Sequence, residues 1–271
     1  MKRLLLLGLL VGVYPPRAFA GPAESAIVAA MKLPDAPNYS WVTAVDDDAR
    51  SYEITGKTDR ATDYSLVTMP MVGAVRGRTA RSGAAVDNQA TVLFKGDERF
   101  VVETNDGWFT TDELRPAGAR GGSPGGPGGG RRGRRGGFPG GDGRPVPAYS
   151  NLQKNLSRPH DEIAIIVAGY VELKVEDGIV AGTLNDTSAR LLLVHPGQDE
   201  ITPLAAAGAF RLWIKDGALV KYETTLEGKL SVETASGRRE VVVRQKSTTT
   251  VTGAGTTTFE VPAAARKKLG G

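Results

Sequence analysis

Beyond Tyr39 the chain is written in short β-type runs separated by tight-turn residues, and this grammar limits the fold more than any other feature. The first set is Tyr39 to Val45, Ser51 to Thr58, Asp63 to Met69, Val75 to Ser82, Ala90 to Phe94 and Arg99 to Thr104. A second set follows: Tyr170 to Val175, Ile179 to Leu184, Ala209 to Ile214, Ala218 to Leu226, Leu230 to Glu233, Arg239 to Ser247 and Thr249 to Val261. These runs favour Val, Thr and Tyr, and breaks such as Asp46-Asp47-Asp48, Lys95-Gly96-Asp97 and Asn105-Asp106-Gly107 punctuate them. Connections this short join antiparallel neighbours, whereas parallel strands need long crossovers. The expected sheet is therefore an antiparallel meander.

Helical spacing appears in a few short places. Ala26, Ile27, Ala30 and Met31 recur on one face within Ala23 to Leu33, ahead of Pro34. Ala148 to Leu156 and Asp161 to Ala168 read as two more helices, the latter ending at Gly169. A further short helix follows Asn185, a capping residue ahead of Ala189, Leu192 and Leu193, and Pro262 to Leu269 allows a last turn or two. A sheet with one apolar face must cover it, and these helices are the available covers. The fold class expected is α+β, a curved antiparallel sheet, or half-barrel, wrapped around a few short helices.

One hairpin can be argued in register. A three-residue loop Lys215-Asp216-Gly217 sets Ile214 opposite Ala218, Leu212 opposite Val220 and Phe210 opposite Tyr222, apolar against apolar. A two-residue loop at Asp216-Gly217 sets Leu212 against Lys221 and Phe210 against Glu223. Burial favours the first, with Arg211, Trp213, Leu219, Lys221 and Glu223 on the other, mixed face.

Met1 to Ala20 has the order of a secretory leader. Lys2 and Arg3 precede the apolar run Leu4 to Val13, and Ala18-Phe19-Ala20 offers a small-x-small cleavage site before Gly21. The run is short of the roughly 20 apolar residues that span a bilayer. The expected location after cleavage near Ala20 is periplasmic or extracellular, with no transmembrane segment in the mature chain. The 271 residues include no cysteine, which excludes disulfide scaffolds, thiolate metal sites and a lipidated N-terminus. The expected organisation is a leader over 1–20, a single domain built from 21–116 and 146–271, and a Gly/Arg/Pro-rich insertion over 117–145.

That insertion holds 14 glycines, four prolines and six arginines in 29 residues and buries too little apolar surface to repay ordering. The chain's net charge of +4 falls to +1 once Lys2, Arg3 and Arg17 leave with the leader. The insertion alone carries +5. Its RGG units have the composition of disordered nucleic-acid binders, but export opposes that partner. Arg131, Arg132, Arg134 and Arg135 are instead candidate contacts to an anionic envelope surface.

Chemistry-bearing motifs are sparse. His160 and His195, each beside a proline, read as surface turn residues. No HExxH, GxSxG or CxxC occurs. The GxGxxG match at Gly128, Gly130 and Gly133 falls in a glycine run with no preceding strand, and Gly56-Lys57-Thr58 reads as strand rather than phosphate loop. Asp46-Asp47-Asp48 lacks the glycine and distal glutamate of a calcium loop. Asp161, Glu162, Glu172, Glu176 and Asp177 are the acids from which a hydrolase pair would have to come. No cofactor, metal or catalytic residue is expected.

The order of one helix, strands, midchain helices and further strands, with the late Gly208-Ala209-Phe210-Arg211-Leu212-Trp213-Ile214-Lys215-Asp216-Gly217 hairpin, resembles the exported lipoprotein-carrier superfamily typified by LolA and by the LppX and LprG lipoproteins. The resemblance covers most of Ala23 to Leu269 outside the insertion. It implies an incomplete barrel around helices, with an apolar cavity for acyl chains and no enzymatic activity. On that reading Phe210, Leu212, Ile214, Val220 and Tyr222 form a cavity wall, lined from the helices by Ile166 and Val167. The expected function is to bind or carry a lipid or other apolar ligand. The alternative is an envelope interaction protein that uses its arginine-rich loop.

Overall fold

A computed structural model describes residues 21–48, 50–70, 89–96, 99–114, 156–194, 198, 200–234 and 237–270. The expected strand Val75 to Ser82, nearly all of the expected helix Ala148 to Leu156, the leader, the insertion and His195 lie outside them.

Among the described residues, eleven antiparallel strands form one curved, unclosed sheet. In chain order they are β1 (Asn38–Asp47), β2 (Ser51–Asp59), β3 (Tyr64–Pro70), β4 (Gln89–Lys95), β5 (Arg99–Thr104), β6 (Gly107–Phe109), β7 (Tyr170–Glu176), β8 (Ile179–Leu184), β9 (Ile201–Lys215), β10 (Ala218–Thr234) and β11 (Gly237–Thr252). Their spatial order is β6-β5-β4-β3-β2-β1-β11-β10-β9-β8-β7, so two meanders from either side of the glycine-rich stretch join where β1 pairs with β11.

The helices are α1 (Pro22–Asp35), α2 (Thr111–Leu114), α3 (Pro159–Gly169), α4 (Asp186–Leu193) and α5 (Ala263–Lys268). Helix α1 starts on Pro22, whose missing N–H costs nothing at that position, and buries Ala26, Ile27, Ala30 and Leu33 at helical spacing. Its small alanines let α3 approach closely, and Lys32 Nζ donates to the Gly217 carbonyl at 3.0 Å, pinning the helix to the β9–β10 turn. Asn185 caps α4 by accepting from the Ser188 N–H at 2.8 Å. Helices α1, α3 and α4 lie on the concave face over β7 to β10. They enclose the main core, where Ile163, Ile166, Phe210, Leu212 and Tyr222 are almost fully buried. A smaller core on the convex face packs α5 against Leu93, Val101 and Trp108.

The β9–β10 hairpin corrects both registers weighed above. Asp216 (φ 52°) and Gly217 (φ 70°) form a two-residue turn in the left-handed region, the geometry that Asp-Gly favours between twisted strands. Ile214 then faces Leu219, but the register shifts at Val220, after which Leu212 faces Tyr222 and Phe210 faces Thr224. One bulged residue satisfies the turn and the burial pattern together. Leu219, expected on the mixed face, is consequently buried.

Segmentation also differs. Leu230 to Glu233 is the far end of β10, and the runs from Arg239 onward form one strand that stops at Thr252 before a Gly253 turn. The arms stay paired as far as Val232, opposite Ile201, because a second bulge, at Leu204, absorbs the Pro203 irregularity. Arg190 of α4 satisfies the carbonyls of Pro203 and Leu204 at 2.8 and 2.9 Å.

Candidate ligand-binding cleft

The concave face is not covered evenly. Among the described residues no helix lies flat over β1, β2, β3 and the middle of β11, and a cleft of about 290 Å³ opens between these strands, the first turn of α3 and the end of α4. Alternation along β1 aims Trp41, Thr43 and Val45 into it, and Ile54 of β2 and Met69 of β3 continue the apolar wall. Leu193 closes the α4 side, while Gln198, Gln245 and Ser247 add neutral polar groups. Trp41 can lie flat there because its cross-strand partner is Gly56, where a Cβ would overlap the indole ring. The glycine of the phosphate-loop look-alike thus serves packing in a strand.

Polar groups in the floor are mutually satisfied. Thr43 and Thr249 hydroxyls meet at 2.8 Å, Thr224 and Ser247 at 2.7 Å, and the Trp41 Nε1–H donates to Thr58 Oγ1 at 3.3 Å. Glu162, in the first turn of α3, is the one acid from the helices that reaches the cleft. Its Oε2 accepts from the Tyr222 hydroxyl at 2.6 Å, and Ser157 also bonds its carboxyl. Burial pushes the carboxyl up to about 7, outweighing those two hydrogen bonds, and neighbouring Asp161 pushes the same way. Burial, together with the Glu162 carboxylate, holds the Tyr222 phenol well above its ordinary range, so it remains a donor.

Among the acids singled out, Glu172, Glu176 and Asp177 are exposed on the β7–β8 edge hairpin. Asp161 pairs with Arg158 at 3.0 Å. His160 overturns its surface reading: it is 8% exposed, its Nδ1 lies 2.5 Å from the Tyr39 hydroxyl, and its Nε2 lies 3.5 Å from Asp161. Pro159 opens α3, which turns the next side chain inward beneath β1. Of the Asp46-Asp47-Asp48 run, Asp46 and Asp47 end β1, and Asp47 accepts from the Arg50 N–H at 2.9 Å across the turn that follows. No group of three or more potential metal ligands converges among the described residues.

The seven residues expected to form a cavity wall lie beside the cleft. Phe210, Leu212, Tyr222 and Ile166 are buried under α1 and α3, with Ile214, Val220 and Val167 half-buried around them. Tyr222 links this packed region to the cleft through Glu162. Arg131, Arg132, Arg134 and Arg135 lie outside the described residues. Trp41, Val45, Ile54 and Met69 were missed as lining, although the inward alternation of β1 and β2 marks them as one face. Glu162 carried a weaker signal, an acid leading the apolar run Ile163 to Val167.

A larger hollow of about 850 Å³ lies on the convex side near α5. It is an open trough lined by the charged side chains of Asp59, Lys95, Glu260 and Arg266, more open to solvent than the concave cleft. The concave cleft has the apolar walls and converging polar groups of a small-molecule site.

No protein-family model matches the sequence, and a search of curated proteins finds no relative. Among solved structures, LprF from Mycobacterium bovis is similar at 9% identity and a TM-score of 0.44, over 90% of this chain and 97% of that one. The chain's own architecture defines an open antiparallel half-barrel around helices, as the carrier-superfamily resemblance implied. Among the described residues no helix is long and apolar enough to cross a membrane.

Proposed function

We propose that this protein is an exported, non-enzymatic binding protein that holds an amphiphilic ligand in the concave cleft. The observation carrying this reading is the apolar wall of Trp41, Val45, Ile54, Met69 and Leu193 beside the desolvated carboxyl of Glu162. Hydrocarbon entering such a wall gains about 0.8 kcal/mol per buried methylene. At about 290 Å³ the cleft sits at the lower edge of the roughly 300–1,000 Å³ range of small-molecule sites. It therefore suits one short alkyl chain or the end of a longer one. Phe210, Leu212, Ile214, Val220, Ile166 and Val167 serve in this reading as the firm backing that keeps Tyr222 in place. The leader-like order of Met1 to Ala20 supports export.

Titration calorimetry with decanol tests the proposal. Saturable binding of one molecule per chain is expected, weakened by Met69→Gln or Ile54→Gln. Absence of saturable binding to decanol and to longer lipids would remove it.

A further inference from the structure

Resting on that reading, we propose that the cleft selects amphiphiles whose polar end is an amine, seated as an ammonium against the Glu162 carboxylate. The argument is one of missing charge. Both groups that hydrogen-bond the carboxyl, Tyr222 and Ser157, are neutral hydroxyls. Among the described residues, the charged groups nearby do not neutralise it. On α3, Asp161 repels it, Arg158 is drawn to Asp161, and His160 is turned to Tyr39. Across the cleft, Asp47 holds Arg50 at 3.5 Å, and the Arg50 guanidinium stacks 4.7 Å from the centre of the Tyr52 ring. The remaining polar lining, Thr43, Gln198, Gln245 and Ser247, is uncharged.

A half-buried carboxylate with no counter-cation among its described neighbours is destabilised, and an ammonium from the ligand would supply that partner. An alcohol offers only a neutral hydrogen bond, and a fatty carboxylate places like charges together. Charge-assisted bonds are about twice as strong as neutral ones. Amine binding also pulls Glu162 fully into its ionised form. The proton it held at neutral pH leaves for solvent, while the ammonium arrives already protonated and keeps its own.

The experiment compares decylamine, decanol and decanoate on the full chain at pH 7 and 8 by calorimetry in buffers of different ionisation enthalpy. Decylamine should bind at least about tenfold more tightly than decanol at pH 8. At pH 7 it should release about half a proton per ligand, a quantity set by the Glu162 titration. Glu162→Gln, which preserves the shape and the Tyr222 contact, should abolish both the preference and the proton release while decanol still binds. Proton release in the unmodified protein tests the idea even should the variant fold poorly. Equal affinities for amine and alcohol, or tightest binding of decanoate with loss in Arg50→Gln, would overturn the amine assignment and leave the apolar cleft standing. Failure of all three probes would remove the cleft itself as a ligand site.

Discussion

The two halves of the concave face use the same strand grammar to opposite ends. Over β7 to β10, helices α1, α3 and α4 press onto Phe210, Leu212, Leu219 and Tyr222 and leave a packed core. Over β1 to β3 the same inward alternation meets no helix lying flat on it among the described residues, and the buried side chains of Trp41, Val45, Ile54 and Met69 border a cleft. Under the proposed function, the reach of the described helices decides which half of the concave face is left open to a ligand.

The largest test of this contrast is truncation on either side. Phe210→Ala should cost about 3–5 kcal/mol of stability in urea unfolding, because it empties a close-packed site over Gly182. Leu193→Ala, at the half-buried rim of the cleft, should cost only about 1 kcal/mol. Equal losses would erase the distinction between the halves.

Glu162 sharpens the boundary between them. Its folded carboxyl holds a proton more tightly than the unfolded chain does, with values near 7 and 4.5. Between those values the native state therefore binds more protons. The associated stability is fully present below pH 4.5, falls as pH rises, and is lost above 7. The span amounts to at most roughly 3 kcal/mol. Urea midpoints between pH 4.5 and 8 should show this decline, and Glu162→Gln should flatten it.

Gly56→Ala acts within the hollow half. The added methyl displaces the Trp41 ring, costing about 1–3 kcal/mol and shifting tryptophan emission. Asn185→Ala should have the smallest effect, about 1 kcal/mol, through loss of the α4 cap read by thermal unfolding.

Much of the fold was legible because local rules agree with it. Asn185 begins α4, Gly169 ends α3, and nearly every described strand follows its Val/Thr/Tyr run. Strand β6 and helix α2 escaped notice because three and four residues carry no period. The β9–β10 register escaped for a different reason. Turn chemistry and burial each favour a different pairing, and the bulge at Val220 that reconciles them has no marker of its own. The cleft was legible least of all, since an inward Ile54 looks the same whether a helix or a hollow faces it. Likewise Glu162 has the ordinary position of a helix-start acid, and only the approach of Tyr222 from β10 reveals that it is half-buried and hydrogen-bonded.

The central claim, that the helix-poor half holds the ligand, is tested most directly by nuclear Overhauser contacts between decanol and the protein's methyl groups. The account predicts contacts to Met69, Ile54, Val45 and Leu193. Contacts confined to Leu212, Ile166 and Val167 would contradict it.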